Sequence, residues 1–178
     1  VVQRSLEDLE YHRLMADKLG VFDLITHVGG LYGDRKAAID RWIHQHQDLP
    51  PGIKNRLRLE NDEKLFSIAD VLSISEATGV PAVLDFHHDR VLPSLNAMEA
   101  VRHAVQTWKN TGRPKFHLSS GRFSREDPRH DDYIREQDFL SVMDLLTAAL
   151  PADEGPLYLM LEAKLKEQAL LRLLPLLG

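Results

Sequence analysis

The sequence predicts an α/β fold of parallel strands joined by helices. Three observations carry that reading. Short apolar runs recur at VFDLITHV, RLRLEN, PAVLDFHH, KFHLSS and PLYLMLEA, with helix-period segments between them. That alternation specifies βα units and a parallel sheet. PAVLDFHH has an unbroken apolar body, which suits a parallel strand covered on both sides. The runs also end on ionisable residues, although burying an unpaired charge is costly.

Residues 6–19 read as a first helix, with Leu6, Leu9, Ala16 and Leu19 on one face. Ser5 and Asp8 form its capping box, and Gly20 stops it. The strand VFDLITHV follows, then the loop GGLYGD. Residues 35–46 form a helix with Ile39, Trp42, Ile43 and His46 together, which LPPG stops. RLRLEN is the second strand. Ser67 and Asp70 cap a helix through Ala77, with Ile68, Val71 and Leu72 inward. TGVP resets the chain for PAVLDFHH. Asn96 and Glu99 open a helix through Trp108 that turns Val101, Ala104, Val105 and Trp108 inward, and NTGRP is a turn. KFHLSS leads into the long polar loop GRFSREDPRHDD. Residues 137–150 carry Leu140, Met143, Leu146 and Leu150 as a helix. PLYLMLEA is the last strand, and the leucine-rich tail from Lys166 to Leu177 is the last helix.

At 178 residues the chain is long enough for one domain with a real core, and no interdomain linker divides it. Its 43% hydrophobic and 28% charged residues fit a globular protein. There are no cysteines, which rules out disulfides and thiolate metal sites and fits an intracellular protein. No stretch of about 18 apolar residues is present to span a membrane. The N-terminus has no signal-peptide pattern. The formal net charge of −5 is weak evidence against a nucleic-acid substrate, because carboxylates that hold cations are locally neutralised. THVGGLYGD lacks the G-x-G-x-x-G spacing, so a dinucleotide site is not expected.

Ionisable strand ends separated by helices are how a TIM-type barrel builds its active site. Five strands do not close an eight-stranded barrel. The expectation is therefore an incomplete (β/α)8 barrel over residues 1–178, with about three N-terminal strands lying elsewhere.

The candidate residues each have a bland reading. Asp85 and His88 lie three apart at a strand end, either as two ligands of one metal or as a helix cap and a surface histidine. Glu60 can bridge two cations or pair with Arg56 or Arg58. Asn61 can orient that carboxylate, while Asp62, Glu63 and Lys64 look like solvated loop charges. His27 is a ligand or a core histidine bonded to a carbonyl, and Gly29 and Gly30 beside it permit close backbone approach. His117 lies in KFHLSS, where Ser119 and Ser120 are candidate phosphate contacts. Glu162 emerges at the catalytic face or starts the final helix. His87 is either a support for a ligand or a loop residue.

The segments THVGGLYGDRKAAIDRW, RLRLENDEK, GVPAVLDFHHD, KFHLSSGR and LMLEAKLKEQALLRL, in that order, resemble the UV damage endonuclease family, the UvdE-type repair enzymes. The resemblance implies a TIM barrel of the xylose-isomerase-like, AP-endonuclease-like kind with a divalent metal cluster, manganese first, with Zn, Mg or Fe as alternatives. It implies His27, Glu60, Asp85, His88, His117, His130 and Glu162 as metal ligands. His130 is promoted by the resemblance alone. Lys115, His117 and Glu162 are the implied catalytic residues, with Lys115 able to be modified into a further bridging ligand. The implied substrate is double-stranded DNA carrying UV photoproducts, nicked immediately 5' to the lesion. The family barrel begins with strands absent here, which supply further histidine ligands and a damage-probing pair. Glu63 stands where the family commonly has Asp.

Paired cations clamp the attacking and leaving oxygens of a phosphodiester and lower the pKa of a bound water. In-line hydrolysis leaving a 3'-hydroxyl and a 5'-phosphate is thus expected. Arg122, Arg125 and Arg129, clustered after His117, are expected to hold the DNA backbone, though Glu126, Asp127, Asp131 and Asp132 interleave with them. The intact protein is expected to be a cytoplasmic monomer of a bacterium or archaeon, with no membrane contact. Three rival readings remain: an abasic-site endonuclease of the three-metal barrel type, a two-metal sugar isomerase, and an inactive barrel fragment.

Overall fold

A computed structural model describes residues 2–177. Within them the elements run α1 (Val2–Leu19), β1 (Leu24–His27), α2 (Arg35–Gln47), α3 (Pro51–Lys54), β2 (Leu57–Glu60), α4 (Ile68–Thr78), β3 (Ala82–Asp85) and α5 (Phe86–Val91). Then come α6 (Ala97–Gln106), β4 (Lys115–Leu118), α7 (Glu136–Ala149), β5 (Tyr158–Leu161), α8 (Glu167–Leu173) and a 3-10 turn (Leu174–Leu177). The strands form one parallel sheet in the order β1-β2-β3-β4-β5. It is the open five-stranded α/β sheet expected of an incomplete barrel.

Two-residue alternation along each strand separates two faces. Leu57, Leu59, Ala82, Leu84, Phe116 and Leu118 turn to the outer face. There they join Ile68, Val71 and Ile74 of α4, Val101 and Ala104 of α6, and Phe139, Val142 and Leu146 of α7 in one apolar core. The intervening residues, Arg58 and Glu60, Val83 and Asp85, Lys115 and His117, share the inner face. Register sets His27 beside Glu60 and Asp85 beside His117. The strand PAVLDFHH is thus apolar on the helix side and increasingly polar inside. Tyr158 and Met160 of β5 are each 49% exposed on that inner face.

Several expected boundaries shift for local reasons. PAVLDFHH stops at Asp85, whose Oδ1 accepts the backbone N–H groups of His87 and His88 at 2.7 and 2.8 Å and so caps α5. LPPG does not simply stop a helix: Pro51 opens α3, where its missing N–H is no loss. Helix α1 begins at Val2, so Ser5 and Asp8 lie within it and do not cap it. The Ser67–Asp70 capping box forms as read. The tail splits into α8 and the 3-10 turn at Pro175, which cannot donate to the preceding helix. No helix among the described residues is long and apolar enough to cross a membrane.

Candidate metal centre

The C-terminal ends of β1 to β5 bring His27, Glu60, Asp85, His88, His117, His130 and Glu162 into one connected group. Glu60 is its hub and is only 6% exposed. Its Oε1 lies 2.8 Å from His117 Nδ1 and 4.0 Å from His88 Nδ1, and its Oε2 lies 3.9 Å from His27 Nε2. Glu162 Oε1 reaches the same His117 Nδ1 at 3.0 Å, and Oε2 lies 3.7 Å from His130 Nδ1. Two sets have the spacing of a cation's ligands, Glu60–His117–Glu162 and Glu60–Asp85–His88. Glu60 belongs to both.

Backbone contacts decide which histidine nitrogens are free. His88 Nδ1 donates to the Asn61 carbonyl at 3.0 Å, and His27 Nδ1 donates to the Glu60 carbonyl at 3.4 Å. A carbonyl only accepts, so Nδ1 carries the proton and Nε2 keeps its lone pair for a ligand role. Asp85 is fully buried. Its Oδ1 is spent on the α5 cap, and its Oδ2 has no hydrogen-bond partner. A buried, unpartnered carboxylate oxygen beside a second carboxylate and a histidine fits a divalent cation. With no cysteine in the chain, the donors are nitrogen and oxygen, which suits Mn, Zn, Fe or Mg.

The electrostatics agree. Burial alone would lower the His117 pKa, but hydrogen bonds to Glu162 and Glu60 overcome it and raise it from 6.5 to about 10. A proton thereby occupies the space between two carboxylates that a cation can take. Glu162 is held below the ordinary carboxylate range, chiefly by its bond to His117. Burial would also lower His88, yet Asp85, the Asn61 carbonyl, Glu60 and Glu63 raise it.

Other expected residues fall elsewhere. The Lys115 ammonium pairs with Asp23 and lies 5.5 Å from the centre of the Tyr158 ring, two residues before His117 on the same strand. Its partners are therefore not Glu60 or Glu162. Ser120 does not offer its hydroxyl to a phosphate: it donates to Asp138 at 2.6 Å and accepts the Arg135 N–H at 3.0 Å. Ser119 is fully buried. Arg125 bonds Asp138 at 3.1 Å and Arg129 grips Asp127 at 2.9 and 3.0 Å, while the three loop arginines stay exposed.

Several residues beside the site take places that the sequence left open, misassigned or passed over. Asp62 is buried and gathers the N–H groups of Lys64, Leu65 and Phe66, so it is no solvated charge. Glu63 Oε2 lies 3.9 Å from His88 Nε2, at the rim of the cluster. His87 is fully buried and donates from Nε2 to the Asp127 carbonyl at 2.9 Å. Asp89, read from sequence as nothing, has a pKa raised to about 6 by burial and by Asp85. Only the i, i+4 step from Asp85 could have signalled it. A cavity of about 840 Å³ between the ends of α6 and α7 lies by the N-terminal ends of β4 and β5, away from these residues.

Histidines and carboxylates gathered at the C-terminal ends of parallel strands define the barrel class of divalent-metal enzymes. A family model described as UV-endonuclease UvdE matches residues 1–178. A UV DNA damage endonuclease of Bacillus velezensis is 34% identical over 97% of this chain, one of Halalkalibacterium halodurans 34% over 98%, and one of Bacillus pumilus 35% over 97%. The crystal structure of SacUVDE superposes with a TM-score of 0.86 at 30% identity, covering 99% of this chain and 58% of that one. The chain belongs to the UvdE family of UV-endonucleases. It spans 55% of the length of those three relatives.

Proposed function

We propose that this protein incises DNA immediately 5' to UV photoproducts, using a manganese cluster. The observation that carries the reading is Glu60, one buried carboxylate common to two ligand sets on one sheet face. A shared carboxylate is how two cations are held close together. The names of the relatives supply the substrate class, UV-damaged DNA.

Divalent cations at such a site supply positive charge to a scissile phosphodiester and lower the pKa of a coordinated water. The side chains do the rest. His27 and His88 present Nε2 while their Nδ1 protons stay on backbone carbonyls. Glu60 would be shared by the two cations and Asp85 would help neutralise one of them. His117, which bonds both Glu60 and Glu162, would serve as a ligand once deprotonated, and His130 would complete the Glu162 side. Arg122, Arg125 and Arg129 hold backbone phosphates outside the cluster. Lys115, two residues before His117 on the same face and paired with Asp23, would lend positive charge on this side of the cluster. The products are a 3'-hydroxyl and a 5'-phosphate. A place beside the genome, in the cytoplasm, follows.

Incubating the protein with Mn²⁺ and three labelled duplexes, irradiated, abasic and intact, tests the reading. A nick mapped just 5' to the photoproduct, abolished by chelation, is expected. Preferential cleavage of the abasic duplex, or metal-dependent turnover of a sugar with no nicking, would overturn it.

A further inference from the structure

Two aromatic rings stand nearly bare on the loops that leave β1 and β4, and neither belongs to the metal centre. Phe123 is 73% exposed and Tyr32 72%. Such exposure is ordinary on a slack loop. These loops are not slack.

The loop bearing Phe123 is wound around Asp127. That carboxylate accepts the N–H of Phe123 and the N–H of Arg129, each at 3.1 Å, and the Arg129 guanidinium as well. The Asp127 carbonyl takes the bond from His87, the neighbour of His88. Gly121 and His130 pair across the base of the loop. Phe123 is therefore tied from both directions to the helix and the histidine that belong to the cluster. Over its ring lie the guanidinium of Arg129, 4.7 Å from the centroid, and that of Arg122, 5.7 Å away.

Tyr32 is positioned by different means. Its φ of 49° is in the left-handed region, where a bulky residue is strained. Its ring lies on Gly30, where a Cβ would meet ring carbons at 2.4 and 2.7 Å. Arg41 sits 6.0 Å from its centroid and donates to the Leu31 carbonyl at 3.1 Å, anchoring the same loop. His27 lies at the root of this loop.

Each structure holds an apolar disc in place, keeps it in water and sets cations beside it. We propose that Phe123 and Tyr32 are stacking residues for nucleobases of the DNA strand that crosses the metal centre. A base offers a flat π-face to the ring, and its phosphate lies within reach of the adjoining arginines. A protein partner would call for a contiguous apolar patch, and around Phe123 the exposed neighbours are Arg122, Ser124, Arg125 and Glu126. The two loops leave the sheet from β1 and β4, on either side of the strand ends of β2 and β3 that supply Glu60 and Asp85. The strand would thus be gripped by its bases on both sides of the cut.

This inference rests on the nuclease reading, and the test separates the two. Fluorescence anisotropy with chelator present measures binding to a labelled oligonucleotide and to one of equal length with abasic tetrahydrofuran units in place of its central nucleosides. Phe123→Ala and Tyr32→Ala should each weaken binding to the base-bearing strand about tenfold, the scale of one lost base–aromatic stack, and leave the abasic strand nearly unchanged. Phe123→Trp should restore affinity, while Phe123→Leu, of similar bulk without a π-face, should not. Unchanged affinity in both alanine variants, or equal losses on both strands, overturns the stacking role and leaves the nuclease reading standing. Failure of the unaltered protein to bind either strand overturns both.

Discussion

Asn61 clasps the backbone of Asp85 at both ends: its Oδ1 accepts the Asp85 N–H at 2.9 Å, and its Nδ2 donates to the Asp85 carbonyl at 3.2 Å. Both residues are fully buried. The clasp ties the end of β2 to the end of β3 and so sets the distance between the carboxylates of Glu60 and Asp85. Asn61→Ala would leave buried backbone groups unpaired. Urea unfolding should show a loss of roughly 1–3 kcal/mol, and a manganese titration should show weaker binding by the folded variant. Unchanged metal affinity would mean that the clasp is purely structural.

Glu60 is common to both ligand sets, whereas Asp85 and His88 belong to one and Glu162 to the other. Glu60→Gln should therefore reduce metal content at both positions. Asp85→Asn or His88→Ala should remove one position and leave the Glu162 side occupied. Elemental analysis of the folded, dialysed variants distinguishes these outcomes. Equal metal content in all of them would refute the shared-carboxylate arrangement.

Proton linkage follows from the His117 pairing. Its pKa is raised when folded, so its stabilisation is complete below the ordinary value of 6.5 and is lost as pH climbs through about 10. Glu162 is shifted down, so its contribution is present above 4.5 and is lost as pH falls. With metal removed, thermal melts should show this pair stabilising most between those two ordinary values and weakening towards pH 10. Metal binding at neutral pH should release the His117 proton, read by calorimetry in two buffers of different ionisation enthalpy. Buffer-independent heats would contradict the shared proton.

Gly121 admits no larger residue. A Cβ there would meet the Ser124 and Asp127 carbonyl oxygens at 2.3 and 2.8 Å, and backbone cannot step aside as a side chain does. Gly121→Ala should cost roughly 1–3 kcal/mol by overpacking. It should also open the loop of residues 121–130 to proteolysis while the apolar core stays protected from hydrogen exchange.

Local sequence carries most of the scaffold. Alternation in RLRLEN and KFHLSS separates a helix-facing apolar set from an inner ionisable set, because a strand's side chains must point alternately. The Ser67–Asp70 box, read from four residues, forms as such because both bonds are local. The order of ligand-type residues at strand ends was legible for the same reason. Their meeting on one face follows from the barrel rule, but which of their atoms stay free to bind does not. Sequence cannot show that His88 turns inward because Asp85 caps α5, or that Nδ1 of His27 and His88 is occupied by the carbonyls of Glu60 and Asn61. Nor does it show that Asp62 is consumed by its own loop and Ser120 by Asp138 of α7. The resemblance alone offered Lys115, and the fold sets its ammonium against Asp23, which arrives from the approach to β1. Pattern along the chain is decided by periodicity and capping over a few residues. Which polar atoms remain free is decided by partners up to dozens of residues away, and only the tertiary structure brings those together.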